Sequence, residues 1–199
     1  MKNENIAGII LAGGSSKRLG RPKQLLDWFG KSFINQVIKV AINVNLNPVI
    51  VVTGACYQEV EKNIENKNVI ITRNLNWQSG QSSSIIKGII ALSSKSQAFL
   101  FLLCDQPQVP EELITEIMKK SSSEDAEIVT TRVGNKTCPP ILFKPNCISE
   151  LLALEGDKGG KELIDKFKTA TVDWEDRRIL LDSDTNDDYR KLIKAYENK

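Results

Sequence analysis

The stretch Ala7-Gly-Ile-Ile-Leu-Ala12, running directly into Gly13-Gly-Ser-Ser-Lys-Arg-Leu-Gly20-Arg-Pro-Lys23, decides how this chain is read. Its first part is an unbroken apolar run of strand length, the pattern of a strand buried on both faces. Its second part is glycine-rich and basic. Gly13 and Gly14 are expected to supply positive φ and close backbone approach. Lys17, Arg18, Arg21 and Lys23 add charge within the nine residues that follow. Exposed backbone N–H groups and clustered cations after a strand make an anion cradle. The spacing fits neither GxxxxGK[ST] nor GxGxxG, so on residues alone a solvated basic turn stays open beside the cradle.

Outward from this stretch, apolar runs of strand length recur at 48–53, 69–72 and 97–104, with shorter ones at 127–131 and 140–143. The run at 97–104 is the most hydrophobic and is expected at the sheet centre. Between the runs lies helical spacing. Over 33–43 it places Ile34, Val37, Ile38, Ala41 and Ile42 on one face; over 83–92 it does the same for Ile85, Ile86, Ile89 and Ile90. Pro110 suits the start of a helix over 111–120. Segments 148–154, 160–167 and 187–196 complete the helices. Strand–helix alternation predicts a mostly parallel α/β sheet with right-handed crossovers. No repeat, low-complexity tract or linker interrupts the chain, so residues 1–199 are expected to form a single domain, with 121–125 a surface loop.

Composition closes other routes. The chain has 199 residues, 41% hydrophobic and 26% charged, with 27 basic against 25 acidic residues. A net charge of +2 supports no nucleic-acid or membrane reading. There is no histidine, which excludes Ser-His-Asp and Cys-His nucleophiles and histidine-based metal sites. Cys56, Cys104, Cys138 and Cys147 contain no CxxC pair, so neither a zinc nor an iron–sulfur cage is expected. The first six residues lack a secretory pattern, and the longest apolar run, 98–104, falls well short of the roughly 20 residues a membrane helix needs. A cytoplasmic protein without structural disulfides is the expectation.

Cys104-Asp-Gln-Pro107 follows the most apolar run. A carboxylate at the carboxyl end of a buried strand sits where open α/β sheets bind ligands. Asp105 suits Mg²⁺, which takes one or two carboxylates plus substrate phosphates. It equally suits the cap of the helix near Pro110.

The run Leu11-Ala-Gly-Gly-Ser-Ser-Lys-Arg-Leu-Gly-Arg-Pro-Lys-Gln-Leu-Leu26 resembles the signature of the MobA-like nucleotidyltransferases, in particular their molybdenum cofactor cytidylyltransferase branch. The resemblance implies a Rossmann-like three-layer α/β sandwich with a mostly parallel mixed sheet, the nucleotidyltransferase fold. It implies that the backbone of Leu11, Ala12, Gly13 and Gly14 holds the base and triphosphate. Arg18 and Lys23 would hold phosphates, and Asp105 a catalytic Mg²⁺. Asn74-Leu-Asn-Trp-Gln-Ser-Gly-Gln-Ser-Ser-Ser84 is similar to the family's next segment, which makes Gly80 and Ser82 nucleotide contacts; Ser82 or Ser83 is expected to cap the following helix. Leu181-Asp-Ser-Asp-Thr-Asn-Asp-Asp-Tyr189 resembles another, which makes Asp184 the second metal ligand and Asp182 the weaker candidate. In Leu154-Glu-Gly-Asp-Lys-Gly-Gly-Lys161, residues Gly159, Gly160 and Lys161 look like an acceptor-side anion site at a helix N-terminus.

Four places depart from the family pattern. Cys104 stands for a usual Gly, Asn186 for a usual Pro, Lys161 for a common Arg, and Thr137-Cys-Pro-Pro140 for Gly-His-Pro.

What the resemblance implies is a Mg²⁺-dependent transferase of the EC 2.7.7 type. It would move CMP from CTP to the molybdopterin phosphate and release pyrophosphate, with a client molybdoenzyme as a further partner. A phosphate monoester is already anionic and needs no general base, so a chain without histidine loses nothing. Guanylyl transfer, sugar-phosphate nucleotidyl transfer and a non-catalytic nucleotide- or cofactor-binding role stay open. Lys23, Asp105 and Asp184 occurring together favour the enzyme.

Overall fold

The computed structural model describes residues 5–92 and 96–197. Its strands are β1 (Ile6–Ala12), β2 (Asp27–Trp28), β3 (Lys31–Ser32), β4 (Val49–Thr53), β5 (Ile70–Arg73), β6 (Ala98–Leu103), β7 (Ile128–Val133), β8 (Lys136–Phe143) and β9 (Thr169–Asp173). Its α-helices are α1 (Phe33–Asn43), α2 (Tyr57–Asn63), α3 (Gln81–Ile90), α4 (Glu111–Ser123), α5 (Ile148–Leu152) and α6 (Asn186–Tyr196). Seven strands form one sheet in the order β5-β4-β1-β6-β8-β7-β9. Strands β5, β4, β1 and β6 run parallel; β8 is antiparallel to both β6 and β7, and β9 is parallel to β7. This is the α/β architecture expected, a mostly parallel mixed sheet.

The alternation of side chains along a strand sorts the core into two layers. On one face Ile10, Val51, Leu100 and Leu142 pack with Ile34, Ile38 and Ala41 of α1 and Leu113, Ile114 and Ile117 of α4. On the other, Ile9, Val52, Phe101 and Phe143 pack with Ile85 and Ile89 of α3 and Leu151 of α5. Sheet and two helical layers give the three-layer sandwich. A third cluster joins Leu19, Leu26, Trp28 and Phe33 to Leu192 and Tyr196 of α6, so the segment after β1 packs against the last helix.

Several elements differ from the sequence expectation. The helix expected over 160–167 is a short 3₁₀ turn, Gly160–Leu163, because Gly159 and Gly160 at its start weaken the helix, although Leu163, Ile164 and Phe167 still pack against the core. Strand β9 and helix α2 carry little apolar signal: in β9 the inward residues are only Ala170 and Val172, and in α2 only Val60 is buried. Helix α6 starts firmly despite Asn186. Thr185 accepts from the Asp188 N–H while the Asp188 carboxylate accepts from the Thr185 N–H, a reciprocal capping box.

Candidate functional site

Two cavities open side by side at the carboxyl ends of β1 and β6. The first, about 510 Å³, takes Ala12, Gly13, Gly14, Lys23, Gly80 and Asp105 into its wall. The second, about 450 Å³, combines Phe101, Ile141 and Phe143 with Lys136, Lys161 and Asp182. Leu11, Gln81, Leu103 and Asp157 belong to both walls, so the cavities adjoin.

The loop after β1 is shaped by residues further along its own segment. Gln24 is buried, and its Nε2 donates to the carbonyls of Ala12 and Gly14 at 2.9 Å each. The Lys23 N–H donates to Ser16 Oγ at 3.0 Å. Positive φ occurs at Ser16 and Gly20, not at Gly13 or Gly14 as expected. Gly13 instead makes room for a neighbour: a Cβ there would sit 2.8 Å from Ser84 Oγ, and that hydroxyl would have to move. A Cβ on Gly14 would meet nothing within 4 Å, so that glycine opens space rather than relieving a clash.

Lys23 lies at the centre of a charged cluster. Its Nζ donates to Asp105 Oδ2 at 2.9 Å and to Asp184 Oδ1 at 2.6 Å. Arg18 Nη2 donates to Asp184 Oδ2 at 2.6 Å. The Lys23 side chain is 15% exposed, each aspartate 34% and Arg18 71%. The hydrogen bond from Lys23 draws the Asp184 carboxyl below its usual range, against burial, and Arg18 adds to the effect. Burial pulls the Lys23 ammonium down, but Asp105 and Asp184 more than offset this and hold it above the ordinary lysine value. Asp105 does not cap α4: the cap position is Pro110, with no side-chain hydrogen bond.

Asp182 goes elsewhere. It faces the second cavity, and burial first, then Asp184 and Asp105, push its carboxyl up. Ser82 is buried away from the first cavity, whose wall includes its neighbour Ser84; its N–H donates to the Gly156 carbonyl at 3.1 Å. Helix α3 begins at Gln81 with Gly80 as cap, and Ser83 Oγ donates to the Gly80 carbonyl. Neither serine is the cap expected. Gly159, Gly160 and Lys161 do line the second cavity, but the turn they open is too short for a helix-terminus anion site. The positive charge there comes from Lys136 and Lys161 themselves. Cys138 lines this cavity where the family pattern has histidine; burial raises its thiol pKa, against the pull of Lys161, so it stays neutral. Cys104, buried beside Asp105, is likewise raised well above the ordinary thiol range, by burial first.

Asp105 and Asp184 fit a hard divalent cation. They offer carboxylate oxygen only, and Asp105 lines a cavity large enough for phosphates to complete the coordination. Among the described residues no group of three or more His, Cys, Asp or Glu side chains is placed to hold a metal ion.

Sequence reasoning did not assign roles to Gln24, Ser16, Lys136, Asp157 or Phe143. Gln24 lies inside the Leu11–Leu26 run, but only the folded loop reveals which carbonyls its amide meets.

Residues 8–172 match the family model of the MobA-like NTP transferase domain. A relative from Bacillus anthracis (strain CDC 684 / NRRL 3495), named "Probable molybdenum cofactor guanylyltransferase", is 26% identical over 200 residues, covering 97% of this chain and 98% of its own. The "Purine catabolism protein PucB" of Bacillus subtilis (strain 168) is 26% identical over 206 residues, covering 98% and 99%. The crystal structure of Rv0371c from Mycobacterium tuberculosis superimposes with a TM-score of 0.84 at 26% identity, covering 96% of this chain and 98% of that one. A second structure of that mycobacterial protein, TM-score 0.80 at 24% identity over 96% of this chain and 99% of that one, is a complex with manganese. The family model spans most of the chain, so the chain belongs to the MobA-like NTP transferase family and is a nucleotidyltransferase.

Proposed function

We propose that the chain, acting as one nucleotidyltransferase domain, transfers CMP from CTP to a molybdopterin-related phosphate and releases pyrophosphate. The observation that carries this reading is the Lys23 ammonium held between Asp105 and Asp184 beside the glycine loop. Asp105 and Asp184 would hold Mg²⁺, which when bound supplies positive charge to the α-phosphate and the departing pyrophosphate. Lys23 and Arg18 counter the remaining charge of the triphosphate, and the loop held by Gln24 shapes the first cavity around it. Lys136 and Lys161 draw an anionic acceptor into the second cavity, where Phe101 and Phe143 offer apolar surface to a flat ring. The shared wall at Leu11, Gln81, Leu103 and Asp157 brings the acceptor's phosphate against the donor. No general base is required of a chain without histidine. Free thiols at Cys56, Cys104, Cys138 and Cys147 fit a reducing, cytoplasmic setting, and no helix among the described residues is long and apolar enough to cross a membrane.

The CTP choice rests on the likeness of Arg21-Pro-Lys-Gln-Leu-Leu26 and Asp105-Gln-Pro107 to the cytidylyl branch. A second reading, GMP from GTP, is favoured by the name of the Bacillus anthracis relative. The deciding experiment is pyrophosphate release with CTP, GTP, ATP and UTP, each against molybdopterin and against sugar phosphates. Fastest turnover with CTP and molybdopterin is expected. Faster turnover with GTP moves the assignment to guanylyl transfer. Release only with sugar phosphates replaces the acceptor, and none with any pair leaves a nucleotide-binding protein.

A further inference from the structure

We propose that Lys23 is the resident cation of the Asp105–Asp184 pair, and that divalent metal and triphosphate enter together by exchanging partners with it. The inference rests on the reading of Asp105 and Asp184 as the metal-binding residues.

Three of the four carboxylate oxygens of this pair are already engaged. Lys23 Nζ holds Asp105 Oδ2 and Asp184 Oδ1, and Arg18 Nη2 holds Asp184 Oδ2. An ammonium 2.9 and 2.6 Å from two carboxylates stands where a shared divalent ion would need those same oxygens. Ammonium and metal therefore compete.

Charge decides what can enter. Two carboxylates, Lys23 and Arg18 sum to zero. A divalent ion entering alone releases two cations with no new partner. A triphosphate entering alone faces two carboxylates that keep hold of those cations. When both arrive, the metal takes the carboxylates and the phosphates take Lys23 and Arg18, so no charge of the resident cluster is left without a partner.

The geometry permits the exchange without refolding the loop. The Lys23 backbone is pinned by its N–H on Ser16 Oγ, and the neighbouring Gln24 is anchored to Ala12 and Gly14. Only the four-carbon stem needs to swing, and such a stem is flexible. Lys23 and Asp105 both line the first cavity, so the ammonium is already in reach of a ligand there. Arg18 is mostly exposed and free to turn. The consequence is positive coupling between metal and triphosphate, which must be reciprocal.

The test is Mn²⁺ binding to the full chain, read by electron paramagnetic resonance of free Mn²⁺ with no nucleotide present. Lys23→Met is expected to bind Mn²⁺ at least tenfold more tightly than wild type. Lys23→Arg, which keeps the cation, should stay near wild type. Lys17→Met removes a charge from the same cavity wall without freeing a carboxylate, and should shift affinity less than threefold. Lys23→Met binding no more tightly than wild type, or Lys17→Met matching it, overturns the exchange. If Lys23→Met melts at a much lower temperature, Lys23→Gln carries the same comparison.

The reverse half uses tripolyphosphate with EDTA, measured by calorimetry. Asp105→Asn should bind it several-fold more tightly than wild type because Lys23 is then held by one carboxylate, Asp184, instead of two. That gain should vanish in Asp105→Asn/Lys23→Met; a gain that persists is plain relief of repulsion and overturns the proposal. Asp105→Asn/Lys23→Met that still binds Mn²⁺ as tightly as Lys23→Met overturns the metal assignment and the exchange with it. Tight Mn²⁺ binding by Lys23→Met together with no pyrophosphate release in any pairing upholds the exchange and removes only the proposed reaction.

Discussion

Asp182 and Asp184 are two residues apart, and their carboxyls are driven in opposite directions. A hydrogen bond from Lys23 lowers Asp184, whereas burial, then the neighbouring Asp184 and Asp105, raises Asp182. A carboxyl raised on folding costs stability when ionised. That cost is absent below its unfolded value of about 4 and complete above the raised folded value. Asp182→Asn should therefore raise Tm at pH 7, and the advantage should disappear as pH falls toward 3. Thermal melts across that range check this; a gain independent of pH contradicts it. Asp105→Asn tests the chemistry. The loss of one charged ligand should cost at least ~3 kcal/mol of transition-state stabilisation, about a hundredfold in kcat. Its melt should be close to wild type, because Lys23 keeps Asp184 and α4 does not use Asp105 as a cap. Retention of more than about a tenth of kcat, roughly 1.4 kcal/mol, would remove Asp105 from the reaction.

At the scale of elements, the start of α3 and the loop before the Gly160–Leu163 turn lock together through glycine. Gly80 has φ +96°, and a Cβ there would lie 2.3 Å from the carbonyl carbon and oxygen of Gly156. Backbone meets backbone, so neither side can yield. The bond from the Ser82 N–H to the Gly156 carbonyl closes the same joint. Gly80→Ala combines left-handed strain with a clash and should cost about 3 kcal/mol, checked by urea unfolding. It should also weaken both triphosphate and acceptor, since Gln81 and Asp157 at this joint belong to both cavities. Gly14→Ala is the contrasting case. With no atom within 4 Å of its Cβ, it should leave stability within about 0.5 kcal/mol. Any loss of triphosphate affinity then reports space in the cavity alone.

For the whole molecule, the C-terminal helix supports the site from behind. Leu192 is fully buried against the cluster of Leu26, Trp28 and Phe33, and Tyr189 Oη donates to the Asp27 carbonyl at 2.9 Å. Asp184 stands one residue before the cap of that helix. The seating of α6 thus sets where one carboxylate of the cluster lies. Leu192→Ala should cost about 2–5 kcal/mol by the cavity it leaves. Measured where the variant is still folded, its Mn²⁺ affinity in the presence of triphosphate should fall as well. An unchanged affinity would mean that Asp184 is held by its ion pairs and not by the helix.

What the sequence determined by itself was whatever repeats locally. The unbroken runs of β1, β4 and β6 and the 3.6-residue stripe of α1 announce their own burial, because the buried face is written into consecutive residues; in α3 the stripe holds for Ile85 and Ile89, whereas Ile90, expected on the same face, is exposed. The basic glycine loop and the Asp105 position followed from those runs. Elements whose stability comes from neighbours were not legible: β9 and α2 have few apolar residues, and the antiparallel seat of β8 depends on which strands flank it. The same holds for the chemistry. Lys23 meets Asp105 from 82 residues away and Asp184 from 161, and Gln24 finds the carbonyls of Ala12 and Gly14 only once the loop is closed. Periodicity tells which side of an element is hidden. Only the order of strands in the sheet decides which charges become neighbours, because that order is set by packing over the whole chain.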